Sequence, residues 1–158
     1  MDRYYDEIAA GYDNLHKDEQ EKKLKIIKGF IKPKASDILL DIGCGTGISS
    51  QFNCKTIGID PSMELLKIAK HNFPEKMFIQ AEAENLPLKD RSIQNIISLT
   101  AAQNFNSMQD AIDEMNRVRT GKAAISILKK SPKTIELKQL LKNAKMIEED
   151  KDLIFIQN

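Results

Sequence analysis

Asp41, Gly43, Gly45 and Gly47 fall at alternate positions of Leu-Leu-Asp-Ile-Gly-Cys-Gly-Thr-Gly, residues 39–47. An apolar stretch over 37–42 runs straight into the three glycines, with Thr46 inside the loop they make. Glycine at these points lets the backbone take positive φ and lets a ligand approach the main chain closely. A strand that turns through glycines into a helix start is the nucleotide-binding corner of an open α/β sheet. The spacing narrows the nucleotide. Counted from Gly43, the dinucleotide fingerprint G-x-G-x-x-G needs its third glycine at position 48, which is Ile48. This chain has G-x-G-x-G behind an acid instead.

Asp60 ends the next expected strand, 19 positions after Asp41. A carboxylate there can accept both ribose hydroxyls of an adenosine bound on the glycine loop. It can equally start a helix, as Asp before Pro often does. Pro61 and Met63 offer apolar surface near an adenine, or ordinary packing at a helix start. Cys44 is a small side chain behind the turn. Cys44 and Cys54 lack metal-ligand spacing and a His partner motif, so no metal site is expected and both read as reduced thiols of a cytoplasmic protein. His16 and His71 have no partner pattern and read as surface or helix-end residues.

Four segments carry a family resemblance. Asp41 to Gly47 resembles motif I of the class I S-adenosylmethionine (SAM) dependent methyltransferases. Gln80-Ala-Glu-Ala-Glu-Asn-Leu-Pro-Leu88 resembles that family's segment after its third strand, commonly Ala-Asp-Ala-x-x-Leu-Pro-Phe. Tyr4-Tyr-Asp-Glu-Ile-Ala-Ala-Gly-Tyr-Asp13 resembles the leading, lid-forming segment of ubiquinone-type and other small-molecule methyltransferases. Glu114 to Lys122 resembles the helix and Pro-Gly-Gly turn before the fifth strand, with Thr120 and Lys122 replacing Pro and the second Gly.

The resemblance implies SAM as cofactor, S-adenosylhomocysteine as product, and Asp41, Gly43, Gly45, Thr46, Gly47 and Asp60 as cofactor-binding residues. On the same alignment Glu82 takes the place of the acid that receives the adenine amino group, and Ala83 offers its N–H to the ring. Glu is one methylene longer than the usual Asp, so the contact comes from a shifted backbone position or through water. Glu84 reads as a solvated charge, Leu86 and Leu88 as core. Tyr12 could cover the methionine end of the cofactor, where an aromatic face suits a sulfonium cation at ~0.5–2 kcal/mol. It could also pack with Ile8 on one face of an amphipathic helix, and the two readings are compatible.

Ligands of an open parallel sheet sit beyond the carboxyl ends of its strands. The loop Ser98-Leu-Thr-Ala-Ala-Gln-Asn-Phe105 should therefore flank the sulfonium and the acceptor, unless it is a plain connector. Thr100, Gln103 and Asn104 could orient an acceptor by hydrogen bonds, with Tyr4 and Phe105 beside it. Many small-molecule methyltransferases have a His pair where Gln103 and Asn104 stand, and neither residue is a general base at pH 7. The [Asn/Asp]-Pro-Pro-[Tyr/Phe] motif of amide- and adenine-N-methylating enzymes and the Pro-Cys pair of cytosine-C5 enzymes are absent. No catalytic residue is assigned.

Helical spacing over 2–13 and 18–31, the second with Leu24, Ile27, Phe30 and Ile31 as its apolar stripe, precedes a β-α alternation. Strands are expected at 37–42, 56–60, 77–80, 93–99 and 123–128, with helices at 46–52, 62–72, 110–118 and 132–144. Stretches 145–149 and 153–157 read as a terminal hairpin. The expected architecture is α/β: a three-layer, Rossmann-like open sheet of seven strands, mostly parallel, with one antiparallel strand in the C-terminal hairpin. In the resembling family the last strand inserts between strands 5 and 6. Residues 1–158 are expected to form one domain, with N-terminal lid helices over 1–33, a cofactor-binding core over 37–128 and the helix and hairpin over 132–158. Only 13 positions separate Gly47 from Asp60, so the first crossover helix should be unusually short.

The chain of 158 residues is 41% hydrophobic and 30% charged with net charge +1, which argues against bulk nucleic-acid binding. No apolar run approaches the ~20 residues of a membrane span. The expected activity is methyl transfer to a small-molecule acceptor. Lys129, Lys130 and Lys133 could recognise an anionic acceptor there, or form a solvated run. So small a platform also suits a homodimer or an activating protein partner, making the chain a SAM-binding subunit with an RNA or protein acceptor. An NAD-dependent oxidoreductase is a third reading, opposed by Ile48 and by the lack of a second, substrate-binding domain.

Overall fold

In the computed structural model, residues 17–158 are described; Tyr4, Tyr12, His16 and the helix expected over 2–13 lie outside them. Helix α1 covers 17–30 and stops before Pro33, which disfavours helical geometry at Lys32. Strands β1 (Ile38–Ile42), β2 (Lys55–Asp60), β3 (Met77–Gln80), β4 (Asn95–Ser98) and β5 (Ala123–Leu128) are parallel, with α2 (Met63–Asn72) and α3 (Met108–Val118) in the crossovers. After α4 (Thr134–Leu140) come β6 (Lys145–Glu148) and β7 (Asp152–Gln157). The seven strands lie in the order β3-β2-β1-β4-β5-β7-β6, and β7 is antiparallel to both neighbours. Fold class, strand number and the inserted last strand are as expected.

Period-two alternation divides each central strand between two cores. Leu39, Ile97, Ala124, Ile154 and Ile156 face α1, which lays Leu24 and Ile27 on them, with Ile31 just past its end. Leu40, Ile96, Ala123, Ile125 and Phe155 face the opposite layer, with Met108, Ala111, Ile112, Met115 and Val118 of α3 and Leu137 of α4. Each fully buried Ile, Leu or Met contributes ~1.5–3 kcal/mol. Two serines start helices, Ser62 accepting from Leu65 N–H at 3.3 Å and Ser107 from Asp110 N–H at 3.2 Å.

Three elements are shorter than their sequence suggested. The helix expected over 46–52 is a single 3-10 turn, Ile48–Ser50, because the hydroxyls of Ser49 and Ser50 fold back to the Asp41 carboxylate at 2.5 and 2.6 Å. Phe52, just past this turn, packs at the edge of the α1 core, with Lys28 of α1 5.2 Å from its ring centroid. Strand β4 loses Ile93 to a bridge with Arg119, while the Gln94 side chain accepts Ile38 N–H at 2.7 Å. Helix α4 begins at Thr134, whose hydroxyl donates to the Leu128 carbonyl at 3.0 Å, and ends at Leu140.

Candidate functional site

The strand ends and the loops after them enclose a cavity of about 150 Å³ at the carboxyl edge of β1, β2 and β4. Gly43, Asp60, Pro61, Glu82, Ala83, Thr100, Asn104 and Phe105 line it, which brings eight of the sequence-selected residues to one place. Ile42, Ile59, Leu65, Ala81, Ala101 and Asn106 line it too and were not selected. All but one of these sit directly beside a selected residue, so adjacency was the available signal; Leu65, inside α2, is the exception.

Asp60 ties the two halves of the corner together. Its Oδ2 accepts Gly45 N–H at 2.9 Å and its Oδ1 accepts Ser62 N–H at 2.9 Å, so one carboxylate holds both the glycine loop and the first turn of α2. The side chain is 7% exposed and opens on the cavity. Gly43, Gly45 and Gly47 all have positive φ (71°, 53° and 87°). Two of them also leave room for neighbours. A Cβ on Gly43 would overlap that of Ala101, and one on Gly47 would lie 3.0 Å from the Phe73 ring and 3.2 Å from Phe78. Gly43 and Cys44 N–H groups donate to the Ile59 carbonyl at 2.7 and 3.0 Å, and Gly47 N–H to the Cys44 carbonyl at 2.9 Å. The loop is thus closed on its own strands.

Asp41, placed with the cofactor from its motif, lies off the cavity wall. It is fully buried beneath the loop, where it takes the Ser49 and Ser50 hydroxyls, and its Oδ1 has no hydrogen-bond partner. Burial pushes its carboxyl up to about 6 against the pull of the two serines; Asp60 adds to the rise and Lys76 opposes it. Cys44 shares this interior. Burial and the two nearby carboxylates push its thiol up, so it is no nucleophile at neutral pH.

Gly45, Gly47 and the buried Thr46 support the loop from outside the wall, and Met63, partly exposed at the start of α2, is off the wall as well. Gln103 is also off the wall, because its Nε2 donates to the Thr100 carbonyl at 2.6 Å. Glu84 is not a solvated charge: its Oε1 accepts Ser107 N–H at 3.1 Å and anchors α3. Two of the three lysines past β5 are engaged. Lys129 lies 3.6 Å from Glu148 and Lys133 donates to the Phe105 carbonyl, which pins the cavity-lining turn rather than reaching for an anion.

Arg117 supports the stretch after Glu82 and Ala83 of the cavity wall from behind. It donates to the Leu86 and Leu88 carbonyls at 3.0 and 2.8 Å and pairs with Glu114 and Asp90 at 2.7 Å. Glu114 in turn accepts Leu86 N–H at 2.7 Å. Its carboxyl is held below the ordinary range by the Arg117 hydrogen bond, which outweighs its burial.

Residues 40–125, just over half of the chain, match the family described as "Methyltransferase domain", and the chain belongs to that family. An uncharacterised protein of Methanocaldococcus jannaschii is 40% identical over 118 residues, 73% of this chain and 45% of that protein. The demethylmenaquinone methyltransferase of Chlorobaculum tepidum is 29% identical over 140 residues, 84% of this chain and 56% of the enzyme. The chain spans about half the length of the curated relatives it matches. Among solved structures, a chain of the complex containing the Haloferax volcanii Trm112 methyltransferase activator superposes with a TM-score of 0.81 at 15% identity. The match covers 96% of each chain and is a likeness of fold. Among the described residues no helix is long and apolar enough to cross a membrane.

Proposed function

We propose that the chain is a SAM-dependent methyltransferase domain that passes the methyl group to a small-molecule acceptor by in-line displacement. The observation that carries this is the convergence of Gly43, Asp60, Glu82 and Thr100 on one cavity from four separate stretches of chain. Asp60, at the carboxyl end of β2 and on the cavity wall, takes the ribose hydroxyls. Glu82 receives the adenine amino group and the Ala83 N–H meets the ring, with Pro61 packing on its face. The loop of Gly43, Gly45, Thr46 and Gly47 lies under the methionine part, and Thr100 and Asn104 stand where donor and acceptor meet. The only titratable side chains among the described lining residues are Asp60 and Glu82, and both are taken by the cofactor. Catalysis rests on alignment and exclusion of water, effects worth ~7–11 kcal/mol at best.

Isothermal calorimetry with SAM and S-adenosylhomocysteine tests the reading, and no heat of binding at millimolar ligand sinks it. Thermal shifts with NADH and S-adenosylhomocysteine side by side separate it from an NAD enzyme. A second reading, a SAM-binding subunit that needs a protein partner, draws support from the fold's likeness to a chain of the Trm112 complex. Light scattering behind size exclusion tests self-association, and co-purification tests a partner. A monomer that methylates small acceptors unaided rules it out.

A further inference from the structure

We propose that Lys23 and Asp152 are positioning residues for the cofactor cavity, acting through Thr100; the inference rests on the SAM-binding reading above. Thr100 lines the cavity with φ +50°, a left-handed conformation that a β-branched residue rarely adopts and that must be held by its surroundings. Its backbone and side-chain polar groups are all engaged. The N–H donates to Ser126 Oγ of β5 at 2.7 Å, and the carbonyl accepts from Gln103 Nε2 at 2.6 Å. The hydroxyl donates to Asp152 Oδ2 at 2.8 Å and accepts from Lys23 Nζ. Thr100 is fixed from α1, β5 and β7 at once.

Lys23 and Asp152 form an ion pair of 3.2 Å with side chains 2% and 1% exposed. Topology makes this meeting possible. Asp152 opens the antiparallel strand β7, in register with Leu128 at the end of β5, and so reaches the carboxyl edge where the cavity lies. Lys23 interrupts the apolar face of α1 beside Leu24 and Ile27. Stability alone does not account for the pair. Asp152 Oδ1 has no hydrogen-bond partner, and a buried polar group left partly satisfied is less stable than apolar packing of the same volume. What the pair does secure is the turn. With Thr100 held, Ala101 is set against the backbone of Gly43, and a continuous line of contact runs from α1 and β7 to the glycine loop. The cavity wall is thereby kept in its strained, ligand-ready shape before any ligand arrives.

The test replaces the pair by apolar residues, Lys23→Met with Asp152→Leu, and reads thermal midpoint, calorimetric affinity for S-adenosylhomocysteine, and amide exchange of 43–47 and 100–105. The expected result is a midpoint at or above wild type, affinity about tenfold weaker because binding must now impose the turn itself, and faster exchange in both segments. Wild-type affinity with wild-type exchange in the double variant overturns the proposal and leaves the pair a packing feature. Should the double variant fail to fold, Thr100→Val removes the hydroxyl while leaving the ion pair, and is expected to show the same loss; unchanged affinity and exchange there overturn the proposal equally. If the wild-type protein itself binds no S-adenosylhomocysteine, the functional reading fails, and the exchange of 43–47 and 100–105 still decides the positioning role.

Discussion

Gly43 lies so close beneath Ala101 that a Cβ on the glycine would occupy the space of the alanine's own. The glycine loop after β1 and the turn after β4, 58 positions apart, thus meet backbone to side chain at the mouth of the cavity. Gly43→Ala should cost ~1–2 kcal/mol for the left-handed backbone and ~1–3 more for the overlap, read by urea unfolding. Adding Ala101→Gly should return the overlap part and leave the backbone part. Recovery that is complete, or nil, contradicts the contact.

Asp41 gives a pH signature. Its folded-state carboxyl is raised to about 6 from 3.8, so between these values the folded protein binds more protons than the unfolded chain. This group's contribution is therefore most favourable below pH 3.8 and is lost as pH rises through 6. Asp41→Asn keeps an acceptor for the two serine hydroxyls and has no charge to bury. It should be more stable than wild type by about 2–3 kcal/mol at pH 7.5, with the gain shrinking towards pH 4. A difference that does not vary with pH rules out the buried charge as its source.

The Arg117–Glu114 pair should show the opposite slope. Glu114 is held below the ordinary carboxyl range, so its contribution is present at neutral pH and is lost as pH falls through its folded-state value. Glu114→Ala orphans Leu86 N–H and loosens the strap over 86–90, at ~1–3 kcal/mol. Chemical denaturation at pH 7 and pH 3.5 checks it: the wild-type advantage should narrow at the lower pH.

Glu82 is expected to select the adenine. Wild type should prefer S-adenosylhomocysteine to S-inosylhomocysteine, which lacks the amino group, by about tenfold. Glu82→Ala should erase the preference. Competition calorimetry reads it, and a preference that survives the substitution moves the adenine contact elsewhere.

Period and punctuation along the chain determined the secondary elements, the sheet class and the nucleotide corner. These features are local: alternation in β1 and β5, the serine cap at 62, Pro33 after α1, and glycines that only a positive-φ turn explains. Asp60 and Thr100 were legible because they stand at or just past strand ends, and Glu82 because its segment resembles the family's; parallel topology sends all of these to one edge. Tertiary structure alone decided what depends on partners distant in sequence. Asp41 left the cavity wall because Ser49 and Ser50 collapse onto it, and that collapse also cost the first crossover its helix. Glu84, Lys133 and Gln103 turned from ligand-side or solvated groups into supports once Ser107, Phe105 and Thr100 came within reach. Lys23 carried no signal in its own helix; its role comes from Asp152, which the antiparallel insertion of β7 delivers to the same edge. Spacing specifies where a backbone turns, whereas a buried polar side chain takes its function from whichever partner the fold places against it.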